Sequence, residues 1–328
     1  PPDRPGGKFT LPGKRPGQMI CFVECRRVRV ADAVIENAPY WTLFLHGCET
    51  VTIRGVRISN PFATLNGDGI DVDSCRDVAI SDCIIRSGDD SITLRANPAP
   101  LKSRGRVCEN ITVANCVLST PCNAIRVGVG DGAIRHAVFS NCVISDTRNG
   151  ICLIGNYSGM SHKGADIEDV RFSNFSMRTV MPFFLFTGTP ASARIRDIAF
   201  SGIRATGSKS SVVRGIPGCR VSDIRFTDID LELAGGAGMI GADADLARMY
   251  WEWDRGRPCA LQVACADRVT LDRVSLRWGA CDGPWRHALL AEAVGGLALR
   301  NCDLPPPPGA AAADAVRESP QPPLIAKQ

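Results

Sequence analysis

No run of about 18 consecutive apolar residues occurs in the chain, so a membrane-spanning helix is excluded. Nor does its start show a basic stretch followed by an apolar one. Residues 1–17 are rich in Pro, Gly, Lys and Arg, and no secretory leader is expected among them. Histidine is scarce, at four residues in 328, and no Cys-x-x-Cys pair is present, which leaves little from which to build a zinc site. Aromatic residues make up only 6% of the chain, and the net charge of +4 is too small for the clustered basic footprint of a nucleic-acid binder. With 32 glycines and 22 prolines, turns are favoured over long helices.

Cysteine, by contrast, is abundant. Fifteen cysteines cannot all pair with one another, and a repeat explains where they fall. An alternating motif (apolar, any, apolar, two small or polar residues, apolar, any, apolar) begins at Val28, Val51, Val78, Ile111, Ala137, Val170, Ile198, Ile224, Val269 and Leu297. Such alternation is the period-2 signal of a strand with one buried face. Asn, Asp, Gly and Ser punctuate the strand pairs. A unit of about 25 residues cannot bury its apolar face alone, whereas stacked copies build a continuous core. The spacing predicts an all-β chain, a right-handed parallel β-helix of about ten coils. A leucine-rich repeat would carry a Leu/Asn signature that is absent, and a propeller blade needs about 40–45 residues.

In that register the cysteines form columns. Cys25, Cys48, Cys75 and Cys108 precede the motif by three residues, where Ile134, Ile167 and Ile195 stand in later copies. Cys83, Cys116, Cys142 and Cys302 follow it by five, where Val56, Phe175 and Ile203 stand in others. Cysteine thus alternates with aliphatic residues as a small buried hydrophobe. Parallel inward Cβ vectors fit disulfide geometry poorly. Residues 1–304 read as one β-helix domain with an excursion at 231–258, and residues 305–328 as a Pro/Ala-rich disordered tail with little apolar surface to bury.

One region carries chemistry. It reads Asn66-Gly67-Asp68-Gly69-Ile70-Asp71-Val72-Asp73, then Ser87-Gly88-Asp89-Asp90-Ser91-Ile92-Thr93-Leu94-Arg95. Aligning Ile70, Ile92, Ile125 and Ile151 as equivalent inward residues stacks Asp68, Asp90, Asn123 and Asn149 two positions earlier, with Asp89 beside Asp90. Like charges so close cannot all ionise freely, so at least one carboxyl is expected to titrate high. A protonated carboxyl beside an ionised one is the pair that glycoside hydrolysis needs. Spacing alone also allows an Asp/Asn ladder that only satisfies turn backbone groups, or a calcium site.

These residues resemble glycoside hydrolase family 28, the polygalacturonases and their relatives. The resemblance rests on Asn66-Gly67-Asp68-Gly69 and Gly88-Asp89-Asp90, on the 21-residue step from Asp68 to Asp89, and on Cys25, Asn37 to Leu43 and Gly55 to Pro61 upstream. It covers residues 17–160 most strongly. It implies a right-handed parallel β-helix, Asp89 as general acid, and Asp68 with Asp90 placing and deprotonating the attacking water. It also implies inversion at the anomeric carbon, which suits carboxyl groups roughly 6.5–9.5 Å apart. Asn66, Asn123 and Asn149 fall on the substrate side. Two hallmarks of the family differ. Cys122-Asn123-Ala124 stands where Gly-His-Gly is expected, and Cys152-Leu153-Ile154 where Arg-Ile-Lys is expected. In the family that His supports the acid, and the Arg and Lys bind uronate carboxylates. Arg126 and Arg95, in the outward columns of Cys152 and Ile154, are the expected replacements.

The function expected is therefore cleavage of a pectin-like or other acidic polysaccharide, without cofactor or metal. The chain is expected to act as a monomer on a poly- or oligosaccharide, with neither nucleic acid nor membrane as partner. The other readings are a non-catalytic carbohydrate-binding or structural β-helix and a polysaccharide lyase. The resemblance implies export, whereas many free thiols and the lack of a visible leader also allow a cytoplasmic setting.

Overall fold

The computed structural model describes residues 15–156, 163–188, 193–234, 259–279 and 285–321. Within them the alternating segments form parallel strands that wind through three sheets, as a right-handed parallel β-helix. The first sheet begins with β1 (Ile20–Val23) and continues through Leu43–His46, Ile70–Asp73 and Ile92–Ala96. The second begins with Arg26–Ala31, Glu49–Arg54 and Arg76–Ser81, and the third with Val34–Glu36, Arg57–Ser59 and Ile84–Arg86. Later coils run these strands together without a break, as in Ala133–Asn156 and Asp166–Gly188.

The corners explain the punctuation. Between the second and third sheets one residue per coil adopts a left-handed conformation: Asp32, Gly55, Asp82, Asn115, Asn141, Asn174, Gly202, Asp228, Arg273 and Asn301, all with φ of 50–62°. Asn and Asp tolerate this region because their short polar side chains bond locally, and Gly because it has no Cβ. Stacked in register, the side chains bond along the column. Asn115 donates to Asp82 at 3.2 Å and Asn174 to Asn141 at 2.8 Å.

Inside the helix each position stacks on its equivalent. Phe139, Phe172, Phe200 and Phe226 form a ladder with ring centroids 4.9, 5.2 and 4.7 Å apart and planes within 14°. It fills the middle coils, where bulk replaces the Ile53, Ile80 and Val113 of the same column. The cysteine columns are also present. Cys48, Cys75, Cys108, Cys83, Cys116 and Cys142 are buried, and every described cysteine is a free thiol. Cys25 departs from the expected burial. It is only partly covered, because its coil is the first described one and has a neighbour on one side only. Burial pushes the Cys108 thiol up to about 12.

The tail also differs from expectation. Val316–Ser319 adds a parallel strand to Leu289–Glu292, Trp278 Nε1 donates to the Pro305 carbonyl at 2.8 Å, and His287 Nδ1 lies 2.6 Å from the Asp314 carbonyl. Composition measures side-chain burial, but an open strand edge captures a chain through its backbone N–H and C=O groups. The excursion expected at 231–258 starts late, since Leu231 to Leu233 continue the strand Val221–Leu233. Residues 235–258 and 322–328 lie outside the described residues.

Two outcomes follow. A native thiol titration with an aromatic disulfide should modify exposed Cys21 first and partly covered Cys25 and Cys302 next. The eleven buried thiols should react only on unfolding. Rapid modification of Cys83 or Cys116 would contradict the stacked columns. Deleting residues 309–328 should lower the urea-unfolding free energy by about 2 kcal/mol, the scale of a few lost backbone hydrogen bonds. An unchanged midpoint would show that the added strand contributes nothing.

Candidate active site

The expected acids gather on the outer side of the first sheet, at the turns that open its strands. The turns at 66–69 and 87–90 lie against each other, with Gly88 N donating to the Gly67 carbonyl at 3.0 Å. Glycine is required at this contact. A Cβ on Gly88 would stand 2.3 Å from the Thr64 carbonyl oxygen, and one on Gly69 2.4 Å from that of Ser91. The strands that follow are in register, with Ile70, Ile92, Ile125 and Ile151 paired in sequence. Asp90, Asn123 and Asn149 consequently form a side-chain ladder. Asn123 Nδ2 donates to Asp90 Oδ1, and Asn149 Nδ2 to Asn123 Oδ1 at 2.7 Å.

Asp89 is tightly held. Its carbonyl accepts from Ser87 Oγ at 2.8 Å and from Thr120 Oγ1, and its Oδ1 from the Asp90 N–H at 3.0 Å. Asn66 Nδ2 approaches Oδ2 at 3.5 Å. Asp68, Asp89 and Asp90 are all buried. Asp68 Oδ1 and Asn149 Oδ1 have no hydrogen-bond partner among the described residues.

The arginines are close to the acids. Arg95 Nη1 lies 3.3 Å from Asp71 Oδ1 and its Nε 3.8 Å from Asp73 Oδ2, with the guanidinium 4.3 Å from the Trp41 ring centre. Arg126 Nη1 lies 3.6 Å from Asp90 Oδ2. Both are buried and engaged with the protein's own carboxylates, instead of lining an open groove as expected.

Four further members, Asp71, Asp73, Arg148 and Cys122, were not among the candidate residues. Alternation does point Asp71 and Asp73 outward, between inward Ile70 and Val72. Cys122 lies in the strand Val117–Gly130 and Arg148 in Ala133–Asn156, beside the Asn ladder where the pairing register shifts between Thr120 and Asn123, and no spacing rule marks them. At the rim, Tyr40 and Trp41 stack with centroids 5.2 Å apart, and Arg15 covers Tyr40 while bonding Asn66 Oδ1 at 3.2 Å. One coil beyond Arg126 the outer face turns apolar. Cys152 and Ile154 join Val180, Met181, Phe184 and Phe186 in a second buried cluster.

Electrostatics follow from this crowding. Burial, then the Asp90 charge, push Asp89 up to about 6, against the Cys122 hydrogen bond and the Arg126 and Arg148 charges. Burial pushes Asp71 up to about 7, with Arg95 opposing and Asp90, Asp73 and Asp89 assisting. Burial and the charges of Asp71, Asp89 and Asp90 hold Asp68 well above the usual carboxylate range. The group can therefore store and deliver protons in mildly acidic solution. Asp89, Asp90 and Cys122 bring possible ligand atoms within 4.8 Å of one another. The charges of Arg126 and Arg148 act on Asp89, and fixed cations there oppose a divalent ion.

The fold, a parallel β-helix with this acid group on one outer face, sets the class of the molecule. Within that class the chain belongs to the glycosyl hydrolases family 28, whose sequence profile matches residues 5–241. A probable polygalacturonase of Arabidopsis thaliana is 27% identical over 194 residues, covering 50% of this chain and 42% of that protein. An Arabidopsis thaliana exopolygalacturonase is 25% identical over 261 residues, covering 72% and 58%. The chain spans about half the length of the curated relatives it matches. Among solved structures, the exopolygalacturonase of Thermotoga maritima superposes with a TM-score of 0.60 at 21% identity, over 82% of this chain and 56% of that one. The family 28 exopolygalacturonase of Yersinia enterocolitica gives 0.61 at 15%, over 83% and 44%. These structural likenesses establish the fold.

The raised acids predict how stability varies with pH. Asp68, Asp71 and Asp89 hold protons more tightly folded than unfolded, so stability falls as pH rises from the ordinary carboxylate range, near 3.8, through about 6 to 7. Thermal unfolding should show this decline. Asp68→Asn should remove part of it and unfold at a higher temperature than the parent at pH 7.5. A lower unfolding temperature at that pH would mean that the ionised Asp68 stabilises the fold.

Proposed function

We propose that the chain hydrolyses a glycosidic bond in a pectin-like or other acidic polysaccharide, with inversion at the anomeric carbon. The observation that carries this reading is Asp89. It is fixed by its backbone carbonyl, lies next to Asp90, and is raised to about 6, so that it carries a proton in mildly acidic solution. Such a carboxyl can protonate the leaving oxygen. Asp68 and Asp90 hold the attacking water, and whichever of the two is ionised takes its proton. Asp68 Oδ1, buried without a partner, is an acceptor suited to that water. Asn66, Asn123 and Asn149 bind sugar hydroxyls, and Asn149 Oδ1 is a second acceptor ready for one.

The acidic character of the substrate rests on Arg126 and Arg95. Arg95 pairs with Asp71, and Arg126 pairs with Asp90 and also acts on Asp89, so protonation of Asp71 and Asp89 frees part of that charge for a substrate carboxylate. Binding of an anionic sugar should therefore strengthen as pH falls towards 6. The apolar cluster around Cys152 and Ile154 restricts this to one side of the cleavage point, so the residue on the other side needs no charge.

Products from oligogalacturonides and from neutral oligosaccharides test the reading. New reducing ends should form without unsaturated sugar, and proton NMR of the first product should show the anomer opposite to that of the substrate. Asp89→Asn should reduce the rate by about 10²–10⁴-fold with folding intact. Retention of configuration would exclude the two-carboxylate inversion, an unsaturated product would indicate a lyase, and a lack of products from any sugar would leave a binding module.

A further inference from the structure

Cys122 takes no part in the reaction set out above, yet it lies against the central acid. The residue is 4% exposed. Its Sγ and a carboxylate oxygen each of Asp89 and Asp90 lie within 4.8 Å of one another, which puts the thiol beside the Asp89 carboxyl. Two contacts constrain how the thiol can face that carboxyl. Asn123 Nδ2 donates to Sγ at 3.3 Å, which uses the sulfur as an acceptor and leaves the S–H to be given. Cys122 N donates to Thr120 Oγ1 at 3.1 Å, and that hydroxyl donates to the Asp89 carbonyl. Residue 122 is thus tied to residue 89 through both backbone and side chain. Burial and the charges of Asp89 and Asp90 push the thiol well above its ordinary range, so it stays S–H wherever Asp89 titrates.

We propose that Cys122 is a positioning residue for Asp89: its S–H donates to the Asp89 carboxylate, orients it and favours its ionised form. The inference rests on the reading of Asp89 as the general acid. Its sign is specific. A donor to the charged form lowers the titration point of an acid, so removing the donor must raise it. Because a general acid works only while protonated, loss of the thiol should extend activity to higher pH. The other groups facing Asp89 stay in place, namely Asp90, Arg126 and Arg148, with Asp68 and Asp71 further along the cluster.

Carbon-13 NMR of the side-chain carboxyls can follow Asp89 directly, its signal being the one lost in Asp89→Asn. The midpoint should lie near 6 in the parent protein. It should rise by about half to one pH unit in Cys122→Ala. It should stay within about 0.3 unit in Cys122→Ser, whose hydroxyl keeps the donor. The alkaline limb of activity on oligogalacturonide should move the same way. An unmoved or lowered midpoint in Cys122→Ala overturns the inference. Should that variant fail to fold, the parent protein carries a second test. The infrared S–H stretching band lost in Cys122→Ser should shift as pH crosses the Asp89 midpoint, and a band indifferent to pH overturns the inference equally. Neither spectrum needs a substrate. A protein that shows both shifts but cleaves no sugar keeps the hydrogen bond and loses the glycosidase reading. An active enzyme with an unmoved midpoint loses the inference alone.

Discussion

Parallel backbone pairing between coils fixes every side chain about 4.8 Å from its equivalent in the next coil. In an ordinary sheet a residue meets a different type across the strand, but here it meets its own position over and over. Each column must therefore suit stacking on itself. Aliphatics and free cysteines do so in the core, phenylalanine rings do so face to face, and Asn and Asp do so at the left-handed corner by bonding along the column. The same rule forms the active-site cluster. It places Asp68 next to Asp90 and Asp71 below Thr93 and Arg126. Acids that are distant in sequence are forced together, and the neighbouring rungs supply the compensation. Asn123 bonds Asp90, while Arg95 and Arg126 reach back one rung to Asp71, Asp73 and Asp90.

This regularity is why the coil register, and with it the stacking of Asp68, Asp90, Asn123 and Asn149, was legible from alternation alone. Once Ile70, Ile92, Ile125 and Ile151 are aligned, everything in the same strands follows. Outward positions were legible only in direction. Asp71 and Arg95 point out of the helix, but whether an outward residue is wet or buried depends on the turns above it, which no period encodes. Hence Arg95 and Arg126 were expected to face an open groove and instead are buried against Asp71, Asp73 and Asp90. Cys122 and Arg148 lie where the register between their strands shifts, and there one residue more or less changes the direction of a side chain. The strand at Val316–Ser319 escaped for another reason. It is held by backbone groups, and its side chains carry little apolar signal.

The thiols show how one residue type can serve two ends. In the core, cysteine behaves as a small apolar residue, and burial keeps Cys108 protonated. At residue 122 the same chemistry is placed beside a carboxylate. A buried hydroxyl or imidazole would demand further partners of its own, whereas a thiol gives one weak hydrogen bond and tolerates otherwise apolar surroundings. On its next coil the site is flanked by Cys152 and Ile154 as well as by Arg148.

Magnitudes show why so many acids can stay in one place. Raising Asp89 from 3.8 to about 6 corresponds to a penalty on the order of 3 kcal/mol for its ionised form at neutral pH, and Asp71 at about 7 to roughly 4. Fully burying one isoleucine contributes about 1.5–3 kcal/mol. The column directly beneath the cluster holds Leu43, Ile70, Ile92, Ile125, Ile151 and Phe183, all at most 1% exposed. About three to five of these side chains offset the penalty of Asp89 and Asp71, and because each strand is paired on both sides the strain cannot relax by moving one coil. An isolated hairpin carrying the same five aspartates would splay apart. The β-helix instead keeps the carboxyls buried and close enough to perturb one another, and burial with that perturbation raises the proton affinity of Asp89.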